Sequence, residues 1–392
     1  MKNKNSIILI LFLTLFFLPD LLFANDIETT EGEDNSTRKD SLPEWIYNVS
    51  DKVRFYGSYR INAGMSENGY TGVADNSSRF GLKGKIPLNP KKKYYVLARA
   101  EWGAQLVSRD EKIKFSPDPG AEYAQANNAL FTRLGYVGFQ TPYGNLTFGK
   151  QWSVYYMVSG ITDMFLAFGG EASGTYNANT DGGVSGTGRP NNAMKYTGTY
   201  GPVNIGLQAQ MRTLTGNDQA FADTYGTTIY FQSKSGFYIG TGFNKVLDGV
   251  DNPEPDEAKK GDQAAVAGIC YKKNRLYLAC TYSNFKNHEK FDLNDTTTIY
   301  YSGQGIELYA RYIIPGNEKW HISTGFNYMK PYNDIEEAGK YDLLCFIIEA
   351  GYNFSKASYA FIATRIDYSK NIDGSKRSPT LFGGGVRFSF GY

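Results

Sequence analysis

Beyond residue 18 the chain has no apolar run approaching the roughly 18 residues that a membrane-crossing helix needs. If the mature chain crosses a bilayer, it does so as strands. Histidine is almost absent: His288 and His321 are the two. Neither lies in a recognisable nucleophile motif, which argues against Ser–His chemistry. The three cysteines, Cys270, Cys280 and Cys345, match no zinc spacing and cannot all pair. Burial as small apolar residues and a single disulfide both stay open. A charge of one sign is lacking too: 41 Lys and Arg face 39 Asp and Glu, so nothing points to a nucleic-acid partner. The glycine-rich run 182–188 lacks the Gly-Lys-Ser/Thr ending of a phosphate loop and follows no strand-to-helix pattern. No metal ligand set or cofactor motif is present.

Aromatics and glycine, by contrast, are abundant, with 31 Tyr, 25 Phe and 43 Gly. That composition suits strands, tight turns and aromatic girdles at a membrane interface. A mean hydropathy of -0.42 does not exclude a membrane barrel, because only alternate residues of each strand face lipid. The first residues read as an export signal over 1–24, with Lys2 and Lys4, the apolar run Ile7 to Leu18, and a cleavage site at Leu22-Phe23-Ala24. Residues 25–52 form a polar leader to which no role is assigned.

From Val53 onward the pattern alternates with period two. Val53, Phe55, Tyr59 and Ile61 share one face; Arg54, Ser58, Arg60 and Asn62 share the other. The same unit recurs over 78–88, 94–107, 130–141, 144–151, 192–200, 203–213, 223–234, 237–246, 263–272, 275–285, 298–314, 319–330, 341–354, 358–369 and 380–392. That predicts an all-β, transmembrane antiparallel β-barrel of about sixteen strands over 53–392. Short connections alternate with long ones, the latter including 108–129, 247–261 and 287–297. His288 then falls in an external loop, and His321, between Trp320 and Ile322, faces the lumen near a turn. The pattern alone does not separate a barrel from a soluble sandwich. The C-terminus favours the barrel: Val386, Phe388, Phe390 and Tyr392 share one face and the chain ends on an aromatic. Such a strand resembles the signal that outer-membrane proteins present to their assembly machinery. The stretch from Leu146 to Arg189 starts as a strand and then loses all periodicity. At that length it is expected to be functional, folded into the lumen as a constriction loop over about 152–191.

Three runs carry a family resemblance. They are Thr132-Arg-Leu-Gly-Tyr-Val-Gly-Phe-Gln140, Gly144-Asn-Leu-Thr-Phe-Gly-Lys-Gln151 and Thr162-Asp-Met-Phe-Leu-Ala-Phe-Gly-Gly-Glu171. With Ser78-Arg-Phe-Gly-Leu-Lys-Gly84, they resemble the trimeric general porins of Gram-negative bacteria. The resemblance implies a homotrimer of sixteen-stranded outer-membrane barrels, a water-filled channel for passive diffusion of small hydrophilic solutes and ions, and no enzymatic activity. It further implies a neck in which an arginine ladder, Arg79, Arg133 and Arg189, faces Asp163 of the third loop, with Glu171 at a second acidic position. Two departures stand out. Ser58 replaces a basic residue, for which Arg60 on the same face could substitute, and Ala167 replaces the central loop glutamate. The neck is therefore expected to lean towards positive charge, and Ala167→Glu to favour cations. A substrate-specific sugar or anion channel and a structural outer-membrane barrel are the alternatives.

Overall fold

The computed structural model describes residues 52–89, 91–107, 115, 129–177, 180–211, 222–247, 261–294, 297–332 and 335–391. The expected export signal and most of the leader, Tyr392, and most of the expected connections at 108–129 and 247–261 lie outside the described residues.

Seventeen strand segments follow one another. They are β1 Val53–Ser66, β2 Thr71–Asp75, β3 Arg79–Asn89, β4 Tyr94–Ala104, β5 Leu130–Thr141, β6 Gly144–Lys150, β7 Ala193–Tyr200, β8 Val203–Met211 and β9 Ala222–Gln232. The second half comprises β10 Phe237–Val246, β11 Gln263–Lys273, β12 Leu276–Asn294, β13 Thr297–Ile313, β14 Trp320–Pro331, β15 Leu343–Asn353, β16 Ser358–Asp367 and β17 Leu381–Phe390. Both β2 and β3 pair with β1, so they are one stave interrupted at 76–78. Beyond them each strand pairs antiparallel with the next. The last returns to the first, setting Arg60 opposite Arg387. The sheet is thus a closed up-and-down barrel of sixteen staves with no free edge, the form that a bilayer demands of a spanning sheet.

The barrel is inside-out relative to a soluble sandwich. Val137, Ile362 and Val386 on the outer face are 58%, 58% and 57% exposed, while Ser58, Glu101, Ser283 and Asn327 on the inner face are buried. Exposed aromatics such as Tyr200, Phe231, Phe237, Tyr271, Tyr312, Trp320 and Phe354 cluster at the ends of strands joined by short turns. They form the aromatic girdle of that rim. Cys270 and Cys345 are buried on the inner face, Cys280 is half-buried, and all three are free thiols, so no disulfide forms among them.

Two expectations need correction. The connection expected at 287–297 is strand: β12 and β13 run on past the barrel proper, with a register shift between Phe285 and Glu289. His288 sits in that irregularity with a fully buried ring, not in an external loop. The interruption between β2 and β3 also went unread. Ser77 takes a left-handed φ of 60°, and Asp75 Oδ1 accepts the Ser78 amide at 2.8 Å, a local bond that competes with the ladder.

Candidate functional site: the inward loop and the basic wall

After β6 the chain leaves the sheet and runs round the inside of the barrel. It contains one short helical turn, α1 Tyr156–Ser159. Staves around that wall offer side chains to it. Gln208 on β8 accepts the Val154 amide at 3.1 Å, and Thr228 on β9 donates to the Val154 carbonyl at 2.7 Å. Tyr238 on β10 donates to the Met157 carbonyl at 2.9 Å, and Tyr277 on β12 to that of Ile161 at 2.7 Å. Glu307 on β13 accepts the Thr162 hydroxyl at 2.5 Å, and Glu349 on β15 accepts the Leu166 amide at 2.8 Å. The return arm uses the same wall. Ala172 N donates to Glu307 at 2.7 Å, and Ser283 donates to the Ala172 carbonyl at 2.7 Å. His288 holds Asp262 at 2.7 Å with Nδ1 and the Gly174 carbonyl at 2.8 Å with Nε2. Without strand partners of its own, the loop satisfies its backbone through the wall, as buried polar groups must. Burial raises the Tyr155 phenol well above its ordinary range, so it remains a donor, to the Ser173 carbonyl at 2.8 Å.

Close approach is possible because the wall beneath the loop is stripped of side chains. A Cβ on Gly268 would lie 2.8 Å from Ile161 and 2.9 Å from Val158. One on Gly206 would lie 2.9 Å from Val154, and one on Gly305 would run into the Ala172 carbonyl.

The tip is fixed by packing. Phe168, Gly169 and Gly170 take φ of 64°, 79° and 72°, three left-handed residues in succession. The two glycines adopt this freely; Phe168 does so at a cost. Offsetting that cost, the Phe168 ring stacks on Phe115 with centroids 6.0 Å apart, and its amide donates to the Phe115 carbonyl at 2.8 Å. Around them gather Ala167, Cys345, Ile347, Phe361, Ala363 and Leu381. Ala167 is 4% exposed. A carboxylate there would be buried against the wall rather than offered to channel water.

Across the lumen, β1, β3, β4, β5 and β17 present a basic surface around one buried acid. Glu101 accepts the Tyr56 hydroxyl at 2.8 Å, Arg99 Nη2 at 2.7 Å and Arg133 Nε at 3.1 Å, with Arg79 Nη1 at 4.0 Å. Arg60 stands directly opposite Arg387 in the register of β1 and β17. Arg387 in turn donates to the Leu166 carbonyl at 3.0 Å, linking this wall to the loop tip.

The residues proposed from sequence therefore divide. Arg79 and Arg133 come together on Glu101, and Arg60 joins Arg387 beside them. Arg189 is buried in the root of the loop, with Asp181 at 3.4 Å and the Trp152 ring at 5.3 Å. Asp163 takes hydrogen bonds from Tyr156 at 2.9 Å and Tyr176 at 3.1 Å. Glu171 binds Arg365 of β16 at 3.0 Å and so tethers the loop to the wall. Sequence reasoning missed Glu101 and Arg99 as members of the cluster, and Glu307, Glu349 and Arg387 as holders of the loop. Each is a charge on the inward face of an amphipathic strand, which is the signal that was available.

A closed barrel of sixteen staves whose third loop follows the inner wall is the architecture of a bacterial porin. Residues 47–371 match the family model described as Gram-negative porin, and the chain belongs to that family. It is an outer-membrane channel protein. Among curated relatives, outer membrane porin F of Escherichia coli K12 is 28% identical over 349 residues, covering 83% of this chain and 87% of its own. Outer membrane porin PhoE of the same organism is 27% identical over 333 residues, covering 82% and 87%. Among solved structures, Salmonella typhi OmpF in complex with daunomycin superposes with a TM-score of 0.69 at 19% identity, covering 86% of this chain and 97% of that one.

Proposed function

We propose that the neck of this channel lies between the inward loop and the basic wall, and that it passes small hydrophilic solutes with a preference for anions. The observation that carries this is the charge of the wall. Arg79, Arg99 and Arg133 gather on Glu101, and Arg60 stands opposite Arg387 on the neighbouring strands, so five guanidinium groups share this wall. Opposite them the loop offers Asp163, already engaged by two tyrosine hydroxyls, while Glu171 is spent on Arg365. Two unit charges interact by about 4 kcal/mol at 4 Å in an effective dielectric of about 20. A field of that order across a wet neck orients polar solutes and discriminates ions without any chemical step. Arg189 serves this reading as an anchor of the loop root.

The remaining parts of the reading rest on kinship. The protein acts as a homotrimer, residues 1–24 direct export, and Phe388, Phe390 and Tyr392 are the handle for barrel assembly. The channel is passive and carries out no catalysis. Reconstitution in planar bilayers tests the proposal. A reversal potential in a KCl gradient should show anions more permeant than cations, and liposome uptake should fall smoothly with solute size. Cation preference would sink the charge assignment; saturable uptake of one solute would replace it with a substrate-specific channel.

A further inference from the structure

His288 grips the return arm of the inward loop at two points. Its ring Nε2 lies 2.8 Å from the Gly174 carbonyl, and its own backbone carbonyl accepts the Asn177 side-chain amide at 3.0 Å. The other ring nitrogen, Nδ1, lies 2.7 Å from Oδ1 of Asp262, the residue just ahead of β11. The arm lies close against this ring: a Cβ on Gly174 would stand 3.5 Å from Nε2 and 3.1 Å from the Tyr155 hydroxyl. The protonation of the pair follows from its partners. A carbonyl oxygen only accepts, so Nε2 carries a hydrogen and donates it to Gly174. Nδ1 and Oδ1 stand at hydrogen-bonding distance, so a second proton lies between them, on the ring or on the acid. Without it two lone pairs would face each other in a site closed to water, where His288 is fully buried and Asp262 is 2% exposed.

We infer that His288 is a positioning residue for the neck, stapling the return arm of the loop to the wall through a proton shared with Asp262. The inference rests on the reading of the loop as one side of the neck. Burial alone would lower the His288 pKa, but the Asp262 carboxylate, with Glu289 beside it, holds it up to about 9. Burial raises the Asp262 carboxyl as well. Tyr155 of the loop and Tyr301 of β13 also face this cluster, and burial keeps both phenols protonated. Tyr341 and Arg377 stand one layer further out. A histidine raised above its unfolded pKa contributes stability that is full below that value and is lost as pH rises through the folded one. The staple is therefore closed at neutral pH and opens as pH rises through about 9.

Hydrogen exchange of peptides covering 172–177 reads the arm, and single-channel conductance in KCl reads the neck. Parent and variants are compared at the same pH, so that the intrinsic rate cancels. His288→Phe keeps a ring and removes both ring bonds. At pH 7 its arm should exchange about ten-fold faster or more, the scale of a lost hydrogen bond to a charged group, with a shifted conductance. At pH 10 the parent should have lost that advantage. Asp262→Asn separates the proton from the packing. Its side-chain amide can donate to a neutral Nδ1 while Nε2 keeps Gly174, so this variant should protect the arm at pH 7 and pH 10 alike. Equal exchange of parent and His288→Phe at pH 7, or parent protection that survives at pH 10, would overturn the staple. If His288→Phe does not fold, the parent and Asp262→Asn decide, and equal exchange of those two at pH 10 overturns it. A loosened arm with unchanged conductance would leave the staple in place and overturn the reading of the loop as one side of the neck.

Discussion

On β1, β3, β4, β5 and β17 the lumen face carries long charged side chains; on β8 to β14, where the loop lies against it, it carries glycines, hydroxyls and the deeply buried acid Glu307. The first wall faces the open lumen. The second meets the protein's own backbone. Glu101 and Glu307 are both 1% exposed, yet they are satisfied differently. Glu101 is surrounded by guanidinium groups and a phenol, whereas Glu307 takes the Ala172 amide and the Thr162 hydroxyl. One acid gathers guanidinium groups on its wall. The other consumes the hydrogen-bonding demand of a loop that has no sheet to join. A barrel wall of uniform alternation can thus serve two purposes, decided by which side chains stand on its inner face.

Breaking the charged wall should give the largest effect. Glu101→Ala leaves Arg79, Arg99 and Arg133 clustered without their shared partner. A cost of about 3–5 kcal/mol is expected for an orphaned buried charge cluster, together with a reversal potential moved further towards anions. Urea unfolding of the reconstituted barrel measures the first; an unchanged midpoint would mean these arginines are held independently of Glu101. The loop-bearing wall should respond next. Gly305→Val drives a side chain into the Ala172 carbonyl, with an expected loss of about 1–3 kcal/mol and altered single-channel conductance. Gly84→Val is the sharpening control. There a Cβ meets only Val53 at 3.5 Å and the Lys52 carbonyl at 3.9 Å, so a change within about 0.5 kcal/mol is expected. Gly84 faces outward, opposite Val53 and Ala98, so equal effects of the two would mean that the cost at Gly305 is that of any glycine in a strand and not of its contact with the loop.

Ala167→Glu should be of the same size as Gly305→Val. It buries a carboxylate among Ile347, Phe361 and Leu381, so stability should fall by about 1–3 kcal/mol with little change in selectivity. A clean shift towards cations at full stability would show that the tip lifts from the wall. The smallest effect belongs to an exposed pair. Lys376 hydrogen-bonds Glu67 at 2.5 Å and holds its carboxyl below the ordinary range. A depressed acid stabilises the fold above its unfolded pKa and loses that contribution as pH falls through the folded value. Glu67→Gln should therefore cost no more than about 0.5 kcal/mol at neutral pH, and parent and variant should converge in acid.

Most of the barrel was legible because lipid and water enforce strict alternation. Strands such as Phe237–Val246 and Gln263–Lys273 can be read residue by residue. The failures have physical causes. Beyond the bilayer nothing enforces alternation, so the extended ends of β12 and β13 looked like a loop and His288 looked external. The break at 76–78 follows from local side-chain bonds of Asp75 and Ser78 that carry no periodic signal. In the loop, the Phe-Gly-Gly run announced an unusual turn, and Phe168 to Gly170 make one. What the sequence could not convey is where an aperiodic segment comes to rest. Arg189, Asp163 and Glu171 are all loop charges, and their partners, Asp181, Tyr156 with Tyr176, and Arg365, depend on a path set by wall residues far away in the chain.

The interruption at 76–78 has a consequence for the order of assembly. At the interruption Asn76 donates its side-chain amide to the Leu166 carbonyl at 2.8 Å, the same oxygen that Arg387 reaches at 3.0 Å. Those two donors come from near the first stave and from the last. They share one acceptor only after the sheet has met itself, and bringing such distant segments together is the slow part of forming any non-local β-structure. The tip of the loop therefore works as a latch that engages after closure: a nascent barrel still open between β1 and β17 lacks one side of the catch.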